Sequence, residues 1–461
     1  MKKSAYILFV FIILSGCSHL SKQENNIYHV RNEYYFAPHL LPHVSPEMQF
    51  AGYWIDKIEK PDSIILNSND IENLNSHIKK IGLIRNVIDT EKDDSLIDEF
   101  HDLAYKYIER KKVFLEEAEL YEQDGSRLSA EELDFYRENL PRDLTDFSNL
   151  CLDSLAFITH FSNELNLPGN YFLSEKTFDE EFNRLQNNGL DMGNITFAVC
   201  LSRDRKWVFQ VNNDSYGWIP KENLFMLKNY HQLAKFKSGI VCIPYAQFWF
   251  KQNESGFAGT LRMGSKVWID TTFSDEKHFR IYCPKVTATF FAYIRKNEIV
   301  LQPLSITSRN LLEKAFSWLN YPYGWGDTNQ FVDCSKFIQK LYALFGINFP
   351  RNGNAQQNSW QSLREIFPEK PVPEILQNSG IPGFTLLRMP GHIMLYVGSE
   401  SNKDYAIHVL YRYQQVDESI ISNRVTNRIV ISDLDLSRGT PRGSYRERLN
   451  VILNPGIKIS Q

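Results

Sequence analysis

The spacing of apolar residues changes along this chain, and that change limits the possible folds more than any other feature. Residues 45–150 carry apolar residues at helical spacing. Residues 155–228 and 229–303 carry short strand-like runs such as TFAVCL and GIVCIP, separated by turn residues. Residues 304–455 mix both patterns. Because 461 residues exceed what one core supports, the sequence predicts a multidomain α+β chain with a helical domain, two small β-barrels and an α+β domain.

The helical segment contains a recognisable helix start. In NDIENLNSHIKKIGLI, Asn69 is predicted as the N-cap because Glu72 follows three residues later, as in a capping box, ahead of apolar residues at helical spacing. This pattern supports the assignment of residues 45–150 to a helical domain.

Composition excludes two broad classes of protein. Apolar residues make up 43% of the chain and charged residues 23%, which is typical of a folded soluble protein rather than a disordered or multi-span membrane protein. The net charge is −4, and no basic cluster alternates with aromatic residues. A nucleic-acid partner is therefore not predicted.

The N-terminus resembles that of an exported lipoprotein. A pair of lysines precedes an almost wholly apolar run over residues 5–14, which is typical of a secretory signal peptide. The sequence Leu-Ser-Gly-Cys that ends at Cys17 resembles a bacterial lipobox, in which the cysteine becomes the lipidated mature N-terminus. We therefore expect a signal peptide over residues 1–17 and a polar tether over residues 18–44, and Ser18 favours the outer membrane. An ordinary cleaved signal and a buried N-terminal helix are the alternatives.

Five further cysteines follow, and their spacing predicts no metal site. There is no C-x-x-C pair and no Cys/His cluster with metal-ligand spacing. The strand-like settings of Cys200 and Cys242 predict packing in a core. The five are Cys151, Cys200, Cys242, Cys283 and Cys334.

Cys334 lies at the start of a predicted helix. Apolar residues follow it at helical spacing, and Gly346 stands where a helix ends, so Asp333 and Cys334 fall in the first turn. The unpaired N–H groups of a first turn stabilise a thiolate and lower the pKa of a cysteine. Cys334 is therefore a candidate nucleophile, and a buried core cysteine is the alternative.

Two histidines lie in segments that predict a β-hairpin. His392 opens GHIMLYVG and His408 lies inside YAIHVLYRY. If the turn centres near Ser401, Gly398 pairs with Asp404 and both histidines lie on the same face of the hairpin. One imidazole is then able to accept the thiol proton while the other orients it. The alternative is that each is a structural histidine within a strand.

Four sequence segments occur in an order that matches a known family: YPYGWGDTNQFVDCSKF, FPRNGNAQQ, GHIMLYVG and AIHVL. Together they resemble the NlpC family of papain-like cell-wall cysteine peptidases. The resemblance implies a papain-like α+β fold for residues 304–455. It also implies that Cys334 is the nucleophile, His392 the general base and His408 the polar residue that orients the base.

The resemblance also implies substrate contacts. Tyr323 of the Tyr-Gly-Trp-Gly motif would line the active site, and Asp333 would bind the free α-ammonium group of an N-terminal L-alanine. Ser335 and Arg351 are assigned to substrate binding on the same basis. Helix N-capping is the alternative role for Asp333.

The sequence departs from the family pattern at two loop positions. Asp327 follows Gly326 where the family usually has Gly-Gly after the tryptophan, and Gly353 stands where the family often has Ser or Thr. Asp333 raises a separate conflict, because a carboxylate beside the nucleophile opposes formation of the thiolate. We therefore expect Asp333 to point away from the sulfur.

The upstream segments extend the resemblance. YWIDKIEKPDSIILNSNDIENLN resembles the helical N-terminal domain of multidomain lipoprotein members, and RDRKWVFQVNNDSYGWIPKENL resembles a bacterial SH3 module. The two predicted β-barrels are therefore expected to be SH3-like. In such relatives the first module lines the active-site groove, which makes Tyr216 and Trp218 candidate substrate-binding residues. Packing in the barrel core is the alternative for both.

The resemblance predicts hydrolysis of the γ-D-glutamyl–diaminopimelate bond in peptidoglycan stem peptides with a free N-terminal L-Ala. The role would be cell-wall remodelling or recycling, and no cofactor is implied. The expected partners are these peptides and, through a lipid on Cys17, the membrane, so the chain would be a periplasm-facing outer-membrane lipoprotein.

Two other functions remain open. A papain-like amidase or acyltransferase would share the fold, but the lipid-acting branch places its histidine before its cysteine, whereas here Cys334 precedes His392. A non-catalytic wall-binding lipoprotein would use only its β-barrels. An inert Cys334 thiol near neutral pH would favour that last function.

Overall fold

The structure is a computed structural model that describes residues 29–170, 172–175, 182–284, 290–417 and 420–458. The predicted signal peptide, Cys17 and the first part of the predicted tether lie outside these ranges. No helix within them combines the length and apolar character needed to cross a membrane. The helices are α1 (Ala51–Ile55), α2 (Ser68–Lys80), α3 (Ser95–Glu117), α4 (Ala130–Asn139), α5 (Leu144–Asn149), α6 (Ser308–Phe316), α7 (Cys334–Ala343), α8 (Gly353–Gln357), α9 (Leu363–Ile366), α10 (Val372–Ser379) and α11 (Tyr445–Arg448).

The strands form three sheets. They are β1 (His29–Phe36), β2 (Cys151–Ile158), β3 (Ser162–Leu165), β4 (Gln186–Leu190), β5 (Ile195–Leu201), β6 (Trp207–Val211), β7 (Tyr216–Pro220), β8 (Leu224–Met226), β9 (Lys237–Val241), β10 (Tyr245–Trp249), β11 (Phe257–Arg262), β12 (Lys266–Ser274), β13 (His278–Tyr282), β14 (Phe291–Arg295), β15 (Ile299–Val300), β16 (Leu386–Met389), β17 (His392–Glu400), β18 (Lys403–Asp417), β19 (Ile420–Asp433) and β20 (Val451–Leu453).

The two predicted barrels are two seven-stranded antiparallel sheets. The first, which we call the first β block, has the order β4-β3-β7-β6-β5-β2-β8, and the second β block has the order β11-β10-β14-β13-β12-β9-β15. Within the described residues the outer strands of neither sheet pair with each other. The predicted SH3-like barrels are therefore not confirmed. The prediction that Cys200 and Cys242 pack in the interior is confirmed, since both are buried.

The predicted helical domain does not have a core of its own. Helices α1 and α2 pack onto the C-terminal domain, where Trp54 and Leu74 share one core with Phe337. Helices α3 to α5 pack onto the first β block, where the ring of Phe100 lies 5.5 Å from that of Phe197. Residues 45–150 contain helices α1 to α5, and the two groups of helices cover different neighbours because amphipathic helices bury their apolar faces against larger surfaces.

Helix α2 begins two residues earlier than the sequence predicts. The side chain of Asn67 accepts hydrogen bonds from the backbone N–H groups of Asn69 and Asp70, at 2.9 and 3.1 Å. Asp70 Oδ2 in turn accepts from the Asn67 N–H at 3.0 Å, which completes a capping box. The N-cap is therefore Asn67 and not Asn69.

The C-terminal domain is a six-stranded sheet with helix α7 packed against it. The strand order is β1-β19-β18-β17-β16-β20, and β1 pairs with β19 in parallel. Strand β1 lies inside the predicted tether, so residues 29–36 belong to this sheet and the tether prediction is wrong for them. The sheet presents the start of β17 and the middle of β18 to the N-terminus of α7, where the predicted site residues meet.

Candidate active site

Helix α7 begins at the predicted nucleophile. Cys334 is its first residue, and Asp333 is the N-cap, whose side chain accepts from the Lys336 N–H at 2.9 Å. Phe337 and Leu341, one turn apart, are fully buried and fix the helix against the sheet. The helix therefore holds the sulfur at its N-terminal end, where backbone N–H groups lack helical partners.

The hairpin β17–β18 brings the two histidines to one face. Leu395 pairs with Ile407, which is the register predicted for the histidine end of the hairpin. His392 Nε2 lies 2.8 Å from His408 Nδ1. The two rings meet edge to face, with an angle of 76° between their planes.

The turn end of the hairpin differs from the prediction. Gly398 pairs with Tyr405 and not with Asp404, because a bulge between Tyr396 and Gly398 shifts the register by one residue. Without that bulge a pairing set by the turn would carry the histidines to opposite faces.

A buried serine continues the histidine pair. His408 and Ser432 are fully buried, and His408 Nε2 lies 2.9 Å from Ser432 Oγ. When His408 Nε2–H donates to that hydroxyl, His408 Nδ1 accepts from Nε2–H of His392. This tautomer leaves a lone pair on Nδ1 of His392. Ser432 carries no signal in the sequence, since a serine in a strand is ordinary.

The thiol lies beside the start of β17. The backbone N–H of Ile393, the residue after His392, lowers the pKa of the Cys334 thiol, which agrees with the packing of α7 against β17. The ring of Tyr445 lies 6.0 Å from that of His392 and closes this side of the site. The structure thus brings the three predicted catalytic residues together and adds Tyr445. The sequence gives no sign of Tyr445 because it lies far along the chain from all three.

Burial favours the uncharged forms of Cys334 and His392. Burial, with a further contribution from Asp333, raises the pKa of Cys334 to about 12. Burial, with a smaller contribution from nearby Arg448, lowers the pKa of His392 to about 3. The expected lowering of the thiol pKa by the helix end is therefore overcome by desolvation. The Cys334 thiol and the His392 imidazole are therefore both uncharged near neutral pH.

Three predicted substrate-binding residues form one hydrogen-bonded group. Arg351 contacts both oxygens of Asp333, at 2.7 and 3.1 Å, and donates to Ser335 Oγ at 2.9 Å. Ser335 donates in turn to Asp333 at 3.0 Å. Burial alone would raise the pKa of Asp333, but the charge of Arg351 and these hydrogen bonds lower it. The conflict noted for a carboxylate beside the nucleophile is only partly offset, since Asp333 raises the pKa of the Cys334 thiol and Arg351 lowers it by less.

Tyr323 lies next to the segment that leads into the nucleophile. Its backbone forms a parallel bridge with Val332, two residues before Cys334, and its half-buried ring lies 5.7 Å from that of Tyr411. This placement agrees with a side chain that lines the site.

Tyr216 and Trp218 lie within the first β block. Trp218 is fully buried and its ring packs against Phe209, with ring centroids 5.4 Å apart, so its side chain is closed to a substrate. That prediction is corrected: alternate residues of β7 face the core. Tyr216 is half-buried and packs edge to face on Tyr107 of α3.

Strand β4 of the first β block packs against the loop that precedes α7. Gln186 Nε2 donates to the Gly326 carbonyl at 2.7 Å, and Trp325 Nε1 donates to the Asn183 carbonyl at 3.0 Å. Asn188 Oδ1 accepts from Arg351 Nε at 2.6 Å. The first β block therefore borders the site through β4 rather than through Tyr216 and Trp218.

A separate group of possible metal ligands lies outside the C-terminal domain. His101 of α3 and Cys151 and Asp153 of β2 each bring one ligand atom to within 4.8 Å of the others. His101 Nε2 and Asp153 Oδ1 already share a hydrogen bond of 2.6 Å, and both side chains are partly exposed. The group is thus satisfied as a polar pair beside a thiol. Spacing along the sequence shows no sign of it, because its members come from a helix and a strand.

The model of the NlpC/P60 family matches residues 320–434. This range contains Cys334, His392 and His408. The C-terminal part of the chain is an NlpC/P60 family domain. No curated protein matches the chain.

Solved structures of NlpC/P60 proteins are similar to this chain to different degrees. An NlpC/P60 endopeptidase from Photobacterium damselae subsp. piscicida shares the fold with a TM-score of 0.64 and 16% identity, over 88% of this chain and 94% of that one. An NlpC/P60 family protein from Bacillus cereus ATCC 10987 has a TM-score of 0.47 and 16% identity, over 66% and 99% of the two chains. NlpC2 from Trichomonas vaginalis has a TM-score of 0.24 and 14% identity, over 61% and 96%. At these identities the first similarity concerns the fold alone.

Proposed function

We propose that the chain is a cysteine peptidase that hydrolyses the γ-D-glutamyl–diaminopimelate bond of peptidoglycan stem peptides. One observation carries the proposal: within the NlpC/P60 domain, helix α7, which begins at Cys334, packs against β17, whose first residue, His392, is hydrogen-bonded to His408. A thiol, a base and a buried orienting group in that order are the parts of nucleophilic catalysis.

The neutral resting pair implies proton transfer during attack. As Sγ of Cys334 attacks the γ-carbonyl carbon, the thiol proton passes to Nδ1 of His392, and Nε2–H of His392 stays bonded to His408. The backbone N–H of Cys334 at the helix start stabilises the oxyanion. His392 then protonates the departing amine and leaves a thioester. Water, deprotonated by His392, hydrolyses that thioester, releases the γ-carboxylate and restores the thiol.

The group around Asp333 supports a substrate with a free N-terminal amine. Asp333 is paired with Arg351, but its side chain keeps 13% of its surface exposed beside the nucleophile. A carboxylate in this position suits the α-ammonium group of an N-terminal L-Ala. We therefore propose that stem peptides already released from the glycan are the substrates.

Mass spectrometry of the products of L-Ala-γ-D-Glu-diaminopimelate tests the proposal. The wild type should release diaminopimelate and L-Ala-D-Glu, and Cys334→Ala should release neither while it unfolds at the wild-type temperature. Cys151→Ala, which removes a half-buried thiol far from the site, is the matched control and should retain full turnover. Turnover by Cys334→Ala, or no turnover by the wild type, refutes the proposal.

We further propose that Cys17 carries a lipid that holds the chain at the periplasmic face of the outer membrane. The lipobox-like sequence before Cys17 supports this proposal. Expressed in a Gram-negative host, the full chain should fractionate with membranes and Cys17→Ser should be soluble. Equal fractionation of the two would contradict lipidation at this residue.

A further inference from the structure

Seven charged side chains form a buried cluster where both β blocks meet the loop before Cys334. We call it the junction cluster. It contains three carboxylates and four cations, a net charge of +1 when all are ionised. Its members are Asp191, Arg262, Asp327, Asp333, Lys336, Lys340 and Arg351.

One half of the junction cluster lies away from the nucleophile. Arg262 Nε of the second β block lies 2.8 Å from Asp191 Oδ1, in the turn after β4. Lys340 on α7 contacts the other oxygen of Asp191. Arg262 is shared with Asp327, whose Oδ2 lies 3.5 Å from Arg262 Nη2, and neither Arg262 nor Lys340 contacts Asp333.

The other half is centred on Asp327. Asp327 Oδ2 lies 3.0 Å from Lys336 Nζ, and Oδ1 lies 3.6 Å from Arg351 Nη2. The side chain is fully buried, and Oδ1 makes no hydrogen bond within the described part of the chain. Asp327 therefore acts on Arg351 mainly through its charge.

The backbone conformation at Asp327 is unusual for a residue with a side chain. Its φ is +69°, in the left-handed region that favours glycine or asparagine. A buried carboxylate at a position that suits glycine is favourable only when it meets charge, and Arg262, Lys336 and Arg351 supply that charge.

Arg351 is shared between Asp327 and Asp333. Burial alone would lower the pKa of Arg351, yet Asp327 and then Asp333 raise it above its ordinary value. Asp333 has the most exposed side chain of the junction cluster, at 13%, against 0% for Asp327. Asp333 is thus the member able to meet a substrate. Without the Asp327 charge, the whole junction cluster, Asp333 included, would carry a net charge of +2.

We propose that Asp327 is a positioning residue for substrate selection: by offsetting the charges of Lys336 and Arg351 from behind, it allows the carboxylate of Asp333, which is paired with Arg351, to attract a substrate ammonium group as well. This inference rests on the proposed function, because it concerns the free amine of the stem peptide. It predicts that Asp327 governs the preference for an ammonium group rather than binding in general.

Binding measured by calorimetry in the Cys334→Ala chain tests the inference without turnover. The two ligands are L-Ala-γ-D-Glu-diaminopimelate and the same peptide with an acetylated N-terminus. Asp327→Asn is the chosen variant, because asparagine keeps the size and tolerates positive φ. We expect the affinity ratio of free to acetylated peptide to fall about five- to tenfold in Asp327→Asn.

Asp191→Asn is the matched control, since it neutralises a buried carboxylate of the junction cluster whose cations do not contact Asp333. It should keep the ratio of the parent. An unchanged ratio in Asp327→Asn, or an equal fall in Asp191→Asn, overturns the inference, and hydrolysis by the intact chain would then leave the proposed function in place. Absence of both binding and hydrolysis overturns both.

Discussion

At the residue scale, the two neutral histidines couple the site to the stability of the chain. Burial lowers the pKa of His392 to about 3 and holds that of His408 well below its ordinary value. In the unfolded chain each binds a proton near pH 6.5. Below about pH 6.5 the unfolded state therefore binds more protons than the folded state. The stabilisation is complete above this pH and is lost as the pH falls toward the folded pKa values.

His408→Asn removes one of these titrations. We expect the free energy of unfolding of the wild type to fall between about pH 7 and pH 5 more steeply than that of His408→Asn, by up to about 1.4 kcal/mol per pH unit. Urea unfolding followed by tryptophan fluorescence measures both slopes. Cys334→Ala, which leaves both histidines in place, should keep the wild-type slope. Parallel slopes in the wild type and His408→Asn would contradict a neutral, buried His408.

Ser432 sets the tautomer of the histidine pair. Ser432→Ala leaves His408 Nε2 without its hydroxyl partner, so kcat should fall about tenfold with little change in KM. Steady-state kinetics with the stem peptide measures both. Ser422→Ala is the matched control, because this buried serine on the same strand bonds to Asp417. If the two variants lose activity equally, Ser432 has no special part in orienting His408.

The sequence predicts some site residues and hides others for physical reasons. Cys334 and His392 stand in local motifs, and His408 follows from strand parity. Asp327 attracts notice only as a departure from a pattern, because its partners come from three parts of the chain. Trp218 shows the opposite error, since an aromatic residue in a strand has the same local pattern whether it faces solvent or the core.

At the element scale, helix caps show how far a local pattern determines a boundary. Two asparagines stand two residues apart, and both are followed three residues later by an acidic side chain. Asn67→Ala should lower the free energy of unfolding by about 1 kcal/mol, because it removes the bonds to two N–H groups. Asn69→Ala, inside the helix, should change it by less than about 0.5 kcal/mol. Urea unfolding compares them, and a larger loss for Asn69→Ala would contradict the observed cap.

The hairpin shows what local pattern omits. The register at the histidines follows from alternation, but the bulge before Gly398 does not, because an extra residue in one strand leaves the apolar pattern nearly intact. The two β blocks illustrate the same limit. Their strands are recognisable, whereas closure into a barrel depends on pairings between distant strands.

At the scale of the whole molecule, the division of residues 45–150 between two cores was beyond prediction from sequence. Helical spacing shows that a face is apolar and does not show what covers it. Helix α2 buries Leu74 and Ile78 in the C-terminal core, while α3 buries Phe100 and Ile108 with the β blocks. The order of charged residues in the sequence does not predict the junction cluster either, because its members are spread between residues 191 and 351.

Arg262 connects the parts of the molecule in a way that a single substitution measures. It is fully buried, bonds to Asp191 of the segment after β4, and reaches the carbonyls of Gln330 and Phe331 at 3.4 and 3.3 Å. Arg262→Met removes one cation from each of two buried carboxylates, Asp191 and Asp327, and should lower the free energy of unfolding by about 3–5 kcal/mol.

The matched control is Arg295→Met in the same β block, whose guanidinium pairs with Glu254 and Glu298 but is 39% exposed. An exposed pair of this kind contributes about 1 kcal/mol or less. Urea midpoints of the two variants, followed by tryptophan fluorescence, separate a junction that holds the molecule together from a surface pair. Arg262 also donates hydrogen bonds to carbonyl groups of the loop before α7. Arg262→Met should therefore change the rate at which iodoacetamide alkylates Cys334, while Arg295→Met should not. If the two variants unfold at the same urea concentration and their Cys334 thiols react with iodoacetamide at the same rate, the contacts of Arg262 do not stabilise the molecule.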